Sequence, residues 1–272
     1  MDKNNRNVHF ISIKGWRDQN EDSHNIILNM NDKHTNLNKI NFLAVFDGHG
    51  GKRVSEYLQN NLYKYFMNKS VKYPLSTKNV TYIYDKIQKD LSQYDFSLHC
   101  GSTGLVVINY VDRVTNDEYL NIINNGDCRC VLCRDNFAMP LTKDHKPHWP
   151  EERCRIEQLG GVITFDDYDY RIKDLSVSRA FGDRDATPYV THRPEVFRYK
   201  LDKSDKFIIV ACDGLWDVLS NSDAVNFVIE NCYDVYTGKR INQNVNISKK
   251  LTDYALKKGS RDNITVIVYF LK

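Results

Sequence analysis

The acids are the residues whose placement could do chemistry. Asp47 follows the apolar run Phe42-Leu43-Ala44-Val45-Phe46, Asp127 follows Asn124-Asn125-Gly126, and Asp213 follows Phe207-Ile208-Ile209-Val210-Ala211-Cys212. Asp262 precedes Ile264-Thr265-Val266-Ile267-Val268. Most of these carboxylates, and Asp183 as well, have a glycine beside them: Asp47-Gly48, Gly126-Asp127, Gly182-Asp183 and Asp213-Gly214. Any one pair reads as a turn, because Asp-Gly is a common hairpin connection. Recurrence at strand ends opens a second reading. If the strands are neighbours in packed sheets, their ends share a rim, and carboxylates gathered there repel unless a multivalent cation neutralises them. Oxygen ligands without a companion set of His or Cys suit Mg²⁺ or Mn²⁺ rather than zinc or copper. A neighbouring glycine lets a backbone carbonyl approach such an ion.

Two stretches add groups of other types. Gly15-Trp16-Arg17-Asp18-Gln19-Asn20-Glu21-Asp22 brings Arg17 close in sequence to Glu21 and Asp22. An Arg fork suits phosphate or carboxylate, although an Arg beside acids is usually a surface ion pair worth little. Asp47-Gly48-His49-Gly50-Gly51 sets a histidine among glycines, a poor context for packing and a good one for proton donation to a leaving group. Other phosphate and acyl chemistries lack their signatures. The chain has no G-x-x-x-x-G-K-[ST], no G-x-G-x-x-G after a strand, no H-R-D loop and no G-x-S-x-G. No cysteine falls in a glycine-rich phosphate cradle.

The elements that must position these residues are legible as periodicities. Strand character runs over Val8 to Ile13, Ile40 to Phe46, Leu105 to Val111, Tyr119 to Ile123, Cys128 to Cys133, Phe207 to Cys212 and Ile264 to Phe270. Val54, Tyr57, Leu58, Leu62 and Tyr65 make one helical stripe, and Val80, Ile83, Tyr84, Ile87, Leu91 and Tyr94 make another. Further helices are expected from Pro150 to Leu159, from Ser222 as N-cap to Glu230, and from Ile247 to Lys258 before Gly259. The order of elements argues against a βαβ alternation and for an α+β fold. One domain spanning 1–272 is the expected organisation, with Asp234 to Asn246 a surface loop.

Composition narrows the class without choosing within it. The chain has 272 residues, 38 Lys+Arg against 35 Asp+Glu and 41% hydrophobic residues, which excludes disorder and leaves a net charge of +3. That charge is too mild to advertise a nucleic-acid partner. Met1 to Asn7 has no apolar core for a signal peptide, and no run approaches the ~18 apolar residues of a membrane helix. An intracellular, cytoplasmic protein without membrane or nucleic-acid partners, acting as a monomer, is expected. Seven cysteines without paired spacing suit reduced thiols, and Cys130-Val131-Leu132-Cys133 reads as a half-buried strand rather than a metal or redox site.

In this order the motifs resemble one family, the metal-dependent Ser/Thr protein phosphatases of type 2C, or PPM family. The resemblance rests on Gly15-Trp16-Arg17 with Glu21-Asp22, Val45-Phe46-Asp47-Gly48-His49-Gly50-Gly51, Gly101-Ser102-Thr103, Asn125-Gly126-Asp127-Cys128-Arg129 and Asp144-His145-Lys146-Pro147. It continues through Leu175-Ser176-Val177-Ser178-Arg179-Ala180-Phe181-Gly182-Asp183, Pro194-Glu195-Val196, Ala211-Cys212-Asp213-Gly214-Leu215-Trp216-Asp217 and Ser260-Arg261-Asp262-Asn263. The resemblance implies two packed antiparallel β-sheets flanked by pairs of helices, a four-layer α-β-β-α sandwich. It implies a binuclear Mn²⁺ or Mg²⁺ centre with Asp47 bridging, the Gly48 carbonyl on one ion, and Glu21, Asp183, Asp213 and Asp262 contributing directly or through water. Asp22 and Asn263 would support the ligands, and Asp127, Asp183 and Asp185 match a weaker third-metal site. Arg17 would hold the substrate phosphate, and His49 would protonate the departing Ser or Thr oxygen. The implied reaction is direct attack on a phosphoserine or phosphothreonine by hydroxide bridging two ions ~3.5–4 Å apart.

One departure falls beside the implied cleft. Where the family often has Arg-Val-x-Gly-x-Leu, this chain reads Arg171-Ile172-Lys173-Asp174-Leu175 after the acidic, Tyr-rich Asp166-Asp167-Tyr168-Asp169-Tyr170. Arg171 is therefore a candidate substrate-flap residue. Trp149, after the unusual His148, is expected to pack on the helix it precedes. Phosphorylated proteins are the expected partners. A catalytically silent scaffold is the alternative, disfavoured by the intact acid set, and a metal-dependent nuclease would require a basic groove.

Overall fold

The computed structural model describes residues 7–30, 40–68, 71–112, 114–166, 168–234, 236–241 and 245–271; Met1–Arg6, Asp167 and part of the Asp234–Asn246 stretch lie outside them. The chain divides into two compact units that interleave in sequence. One takes the residues up to Asp22, then Arg129–Thr142, then everything from Leu201; the other takes Ser23–Cys128 and Lys143–Lys200. The strands of the two main sheets, in chain order, are β1 (Val8–Ile13), β2 (Ser23–Ile27), β3 (Ile40–Phe46), β4 (Gly104–Val111), β5 (Glu118–Asn125), β6 (Arg129–Arg134), β7 (Phe137–Pro140), β8 (Glu195–Lys200), β9 (Asp205–Ala211) and β10 (Ile264–Phe270). The helices are α1 (Arg53–Phe66), α2 (Thr77–Leu91), α3 (Pro150–Gln158), α4 (Asp213–Trp216), α5 (Asn221–Cys232) and α6 (Ile247–Lys257).

The first unit carries an antiparallel sheet in the order β1-β10-β9-β6-β7. The central strands β9 and β10 are runs of Val, Ile and Phe, the β-branched and aromatic residues that fit a pleated, buried surface. Helices α5 and α6 cover one face, setting Val225, Val228, Ile247 and Leu251 against Val131, Phe207, Ile209, Val266 and Val268. Helix α5 starts two residues earlier than the sequence suggested. Ser220, not Ser222, is the N-cap: its side chain accepts from the Asp223 backbone N–H, while Asp223 reaches back to the Ser220 backbone in a capping box.

The second unit carries an antiparallel sheet in the order β8-β5-β4-β3-β2. Its core sets Val54, Leu58 and Leu62 of α1 and Val80, Tyr84 and Ile87 of α2 against Phe42, Phe46, Val106 and Ile108. Truncating a fully buried phenylalanine such as Phe42 or Phe46 would cost about 3–5 kcal/mol. The expected pairs of helices on antiparallel sheets are therefore present, α1 with α2 and α5 with α6, in a mixed α+β fold. Tyr94 lies past the end of α2 and instead stacks on Phe96.

One expectation changes. The run holding Cys130 and Cys133 is fully buried rather than half-buried, because Val131 and Leu132 between them are also inaccessible. Burial pushes the Cys130 thiol up and the Cys133 thiol up to about 11, which suits inert thiols. Trp149, the residue before α3, stays partly exposed, while His148 tilts against Tyr170 at 4.7 Å.

Candidate metal centre

The antiparallel registers bring the chemical residues of each unit to one end of its sheet. In the first unit, Ile13 at the end of β1 pairs with Ile264 at the start of β10, and Ala211 at the end of β9 pairs with Val266. The segments that follow β1 and β9 and precede β10 therefore meet. They carry Arg17, Glu21, Asp22, Asp213, Asp262 and Asn263. Asn263 is the hub. Its Oδ1 accepts from the Glu21 N–H at 2.8 Å, and its Nδ2 donates to the carbonyls of Lys14 at 2.9 Å and Gln19 at 2.8 Å. Arg17 Nη2 donates to Asp262 Oδ2 at 2.6 Å, leaving the guanidinium largely exposed. Asp22 is buried, and its Oδ2 accepts from Thr265 Oγ1 at 2.7 Å and from Cys212 Sγ at 3.3 Å. Asp213 opens the single-turn helix α4 directly after Cys212.

In the second unit, Val45 near the end of β3 pairs with Leu105, and Gly104 at the start of β4 pairs with Asn125 at the end of β5. Asp47, Thr103 and Asp127 consequently share that end. Thr103 clamps Asp47, donating its N–H to the Asp47 carbonyl at 2.8 Å and accepting from the Asp47 N–H through Oγ1 at 3.1 Å. Carboxylate oxygens of Asp47 and Asp127 lie within 4.8 Å of one another. Asp127 is 1% exposed; Lys146 Nζ donates to its Oδ2 at 2.5 Å, and Oδ1 receives no hydrogen bond from the described residues. A buried, unsatisfied carboxylate oxygen close to a second carboxylate is what a divalent cation would satisfy.

Gly48-His49 and Phe181-Gly182 both pair with Gly101-Ser102 in a short three-stranded ladder. This ladder brings Asp183 to His49, with His49 Nε2 and Asp183 Oδ2 2.7 Å apart. Gly101 lies beneath the pair, and a Cβ there would strike both the Asp183 carboxylate and His49 Nε2. Gln88 of α2 fixes the adjoining Gly182, accepting from its N–H at 2.9 Å and donating to its carbonyl at 2.8 Å. Asp185 Oδ2 lies 2.7 Å from His99 Nδ1. Arg171 is held inside its own hairpin by the Asp166 carboxylate and by the Asp174 carbonyl at 2.9 Å.

The protein phosphatase 2C family pattern matches residues 6–264. The chain belongs to the protein phosphatase 2C family. A "PP2C-like domain-containing protein" of Acanthamoeba polyphaga mimivirus is 50% identical over 169 residues, covering 56% of this chain and 94% of that protein. "Probable protein phosphatase 2C 71" of Arabidopsis thaliana is 38% identical over 238 residues, 86% of this chain, and this chain spans 49% of its length. Among solved structures, a C. elegans sex determining protein superposes with a TM-score of 0.81 at 24% identity, covering 97% of this chain and 64% of that one. A Toxoplasma gondii serine-threonine phosphatase 2C superposes with a TM-score of 0.74 at 21% identity, covering 97% and 94%.

Several motif residues acquire a task only in the fold, as does Gln88, which lies outside every motif. Lys146 proves to be the partner of Asp127, Thr103 the clamp on Asp47, and Gln88 the support of the Asp183 segment. Arg179 of Ser178-Arg179-Ala180 joins a buried ion cluster, its Nη2 donating to Glu152 Oε1 at 2.5 Å while Arg155 Nη2 donates to Glu152 Oε2 at 2.8 Å. Burial alone would raise the Glu152 carboxyl; the two guanidiniums outweigh it and hold the group down at about 2. His145 Nδ1 accepts from the Gly126 N–H at 3.1 Å, so Nε2 carries the proton facing Glu195 Oε2 at 3.4 Å. That contact, ahead of other causes, holds the Glu195 carboxyl below its ordinary value.

Proposed function

We propose that this chain is a phosphoprotein phosphatase that hydrolyses phosphoserine and phosphothreonine with Mn²⁺ or Mg²⁺ held by Glu21, Asp47, the Gly48 carbonyl, Asp127, Asp213 and Asp262. Family membership supports the metal-dependent phosphatase class. The observation that carries the metal requirement is the buried Asp127 Oδ1, which no described group satisfies, close to Asp47. Divalent cations bound there would supply Lewis acidity, lowering the pKa of water and screening the phosphate's charge from its attacker.

The chain's own residues supply the rest. Arg17 offers an exposed fork that can exchange Asp262 for a phosphoryl group, orienting it for in-line displacement. His49 donates a proton to the leaving Ser or Thr oxygen, and Asp183, in contact with His49, orients the ring. Asn263 and Asp22 hold the Lys14–Glu21 loop and the Cys212–Asp213 corner in place. Mostly buried cysteines without a disulfide among the described residues favour a reducing compartment and a cytoplasmic enzyme; no described helix is long and apolar enough to cross a membrane. The test is turnover of a phosphothreonine peptide with and without Mn²⁺. Hydrolysis confined to the metal-loaded protein and abolished by EDTA is expected; metal-independent turnover, or none across a Mn²⁺ series, refutes the reading.

A further inference from the structure

Trp16 is 78% exposed, although an indole is among the least favourable side chains to leave in water. It does not sit on a loose tip. The Lys14–Arg17 turn is closed by the Arg17 N–H donating to the Lys14 carbonyl at 3.3 Å, and Asn263 Nδ2 ties down that same carbonyl. Gly15 adopts φ +58° against the Asp262 carbonyl, where a Cβ would collide. One rigid turn thus presents Trp16 and Arg17 together. Beside the indole opens a cavity of about 540 Å³ lined by Ile13, Lys14, Gly15, Trp16, Leu256 and Lys257. Its walls are mostly apolar, and the two lysines are exposed.

We propose that this cavity is a substrate subsite that takes a large apolar side chain, with an acidic neighbour, from the segment flanking the phosphorylated residue. The inference rests on the phosphatase reading, which places the phosphate on Arg17. Trp16 and Arg17 are consecutive, with Cα atoms about 3.8 Å apart, so a chain whose phosphate reaches Arg17 passes the indole within a few residues. Tryptophan is enriched among the residues that anchor binding, and a fixed turn removes the ordering cost that a flexible loop would carry. Lys14 and Lys257 give the recess a positive rim that matches an acidic residue and disfavours a basic one.

The experiment compares phosphothreonine peptides identical except for Leu or Ala at each position from four before to four after the phosphoresidue. Both kcat/KM with Mn²⁺ and binding of the matching non-hydrolysable phosphonate peptides are measured. At one register Leu is expected to bind about fivefold to tenfold better than Ala, the gain from partly burying one apolar side chain. Trp16→Ala and Leu256→Asp are expected to bring that Leu/Ala ratio to one, and Trp16→Phe to retain it. A Lys14→Glu, Lys257→Glu double variant is expected to invert the preference for an acidic over a basic neighbour. A ratio of one at every register in the parent protein, or a ratio that survives Trp16→Ala, overturns the subsite. Discrimination in phosphonate binding by a protein that turns over no phosphopeptide upholds the subsite and removes the phosphatase reading instead.

Discussion

His49 Nε2 and Asp183 Oδ2 lie 2.7 Å apart, and Asp183 is 2% exposed. The contact exists only because Gly101, between them, has no side chain, and because Gln88 grips the residue before Asp183. A buried carboxylate in that place fixes the ring.

Asp183→Asn is therefore expected to lower kcat for a phosphothreonine peptide by roughly 10- to 100-fold, the scale of positioned proton transfer, while p-nitrophenyl phosphate, with its good leaving group, loses less. Steady-state kinetics on both substrates check this. Equal losses on the two would show that Asp183 does not act through proton donation.

Carboxylates converging at one end of a sheet repel one another until a cation joins them. Mn²⁺ is expected to raise the melting temperature of the parent protein in a concentration-dependent way, by mass action on the folded state. Asp47→Asn is expected to remove most of that rise along with activity. Calorimetry with and without Mn²⁺ gives a readout independent of turnover.

Lys146→Met would strip Asp127 of its cationic partner and leave a buried charge, at a cost of about 3–5 kcal/mol in metal-free protein. Chemical denaturation in EDTA measures it. Added Mn²⁺ is expected to recover part of the loss, since a cation would replace the missing ammonium.

The Glu152 cluster predicts acid sensitivity with a definite sign. The folded carboxyl lies at about 2 against an ordinary 4.5, so folding is favoured by ionisation; the contribution is fully present above pH 4.5 and lost as pH falls towards 2. Its size is on the order of 3 kcal/mol. Glu152→Gln should flatten the stability–pH curve below pH 4.5, and denaturation series at stepped pH will show whether it does.

Much of the fold is legible because its apolar runs leave little choice. Val8–Ile13, Ile40–Phe46 and Ile264–Phe270 are strands with the ends that sequence alone assigns them. Ser23–Ile27 and Glu195–Lys200 escape notice because they mix polar and apolar residues and are only partly buried. Helix α5 begins where its capping box closes, at Ser220 and Asp223, rather than at the next serine that periodicity would accept.

Sequence by itself determined which residue types are available for chemistry, because aspartates beside glycines at the ends of strand-like runs survive any arrangement of those strands. Tertiary structure alone decided which of them meet. Strand register sends Asp47 and Asp127 to one sheet end, a two-residue ladder over Gly101 commits Asp183 to His49, and a folded loop gives Lys146 to Asp127. Those pairings span 19 to 134 positions in the chain, and hydrogen bonds of that reach depend on backbone placement to within an ångström, which no local pattern encodes.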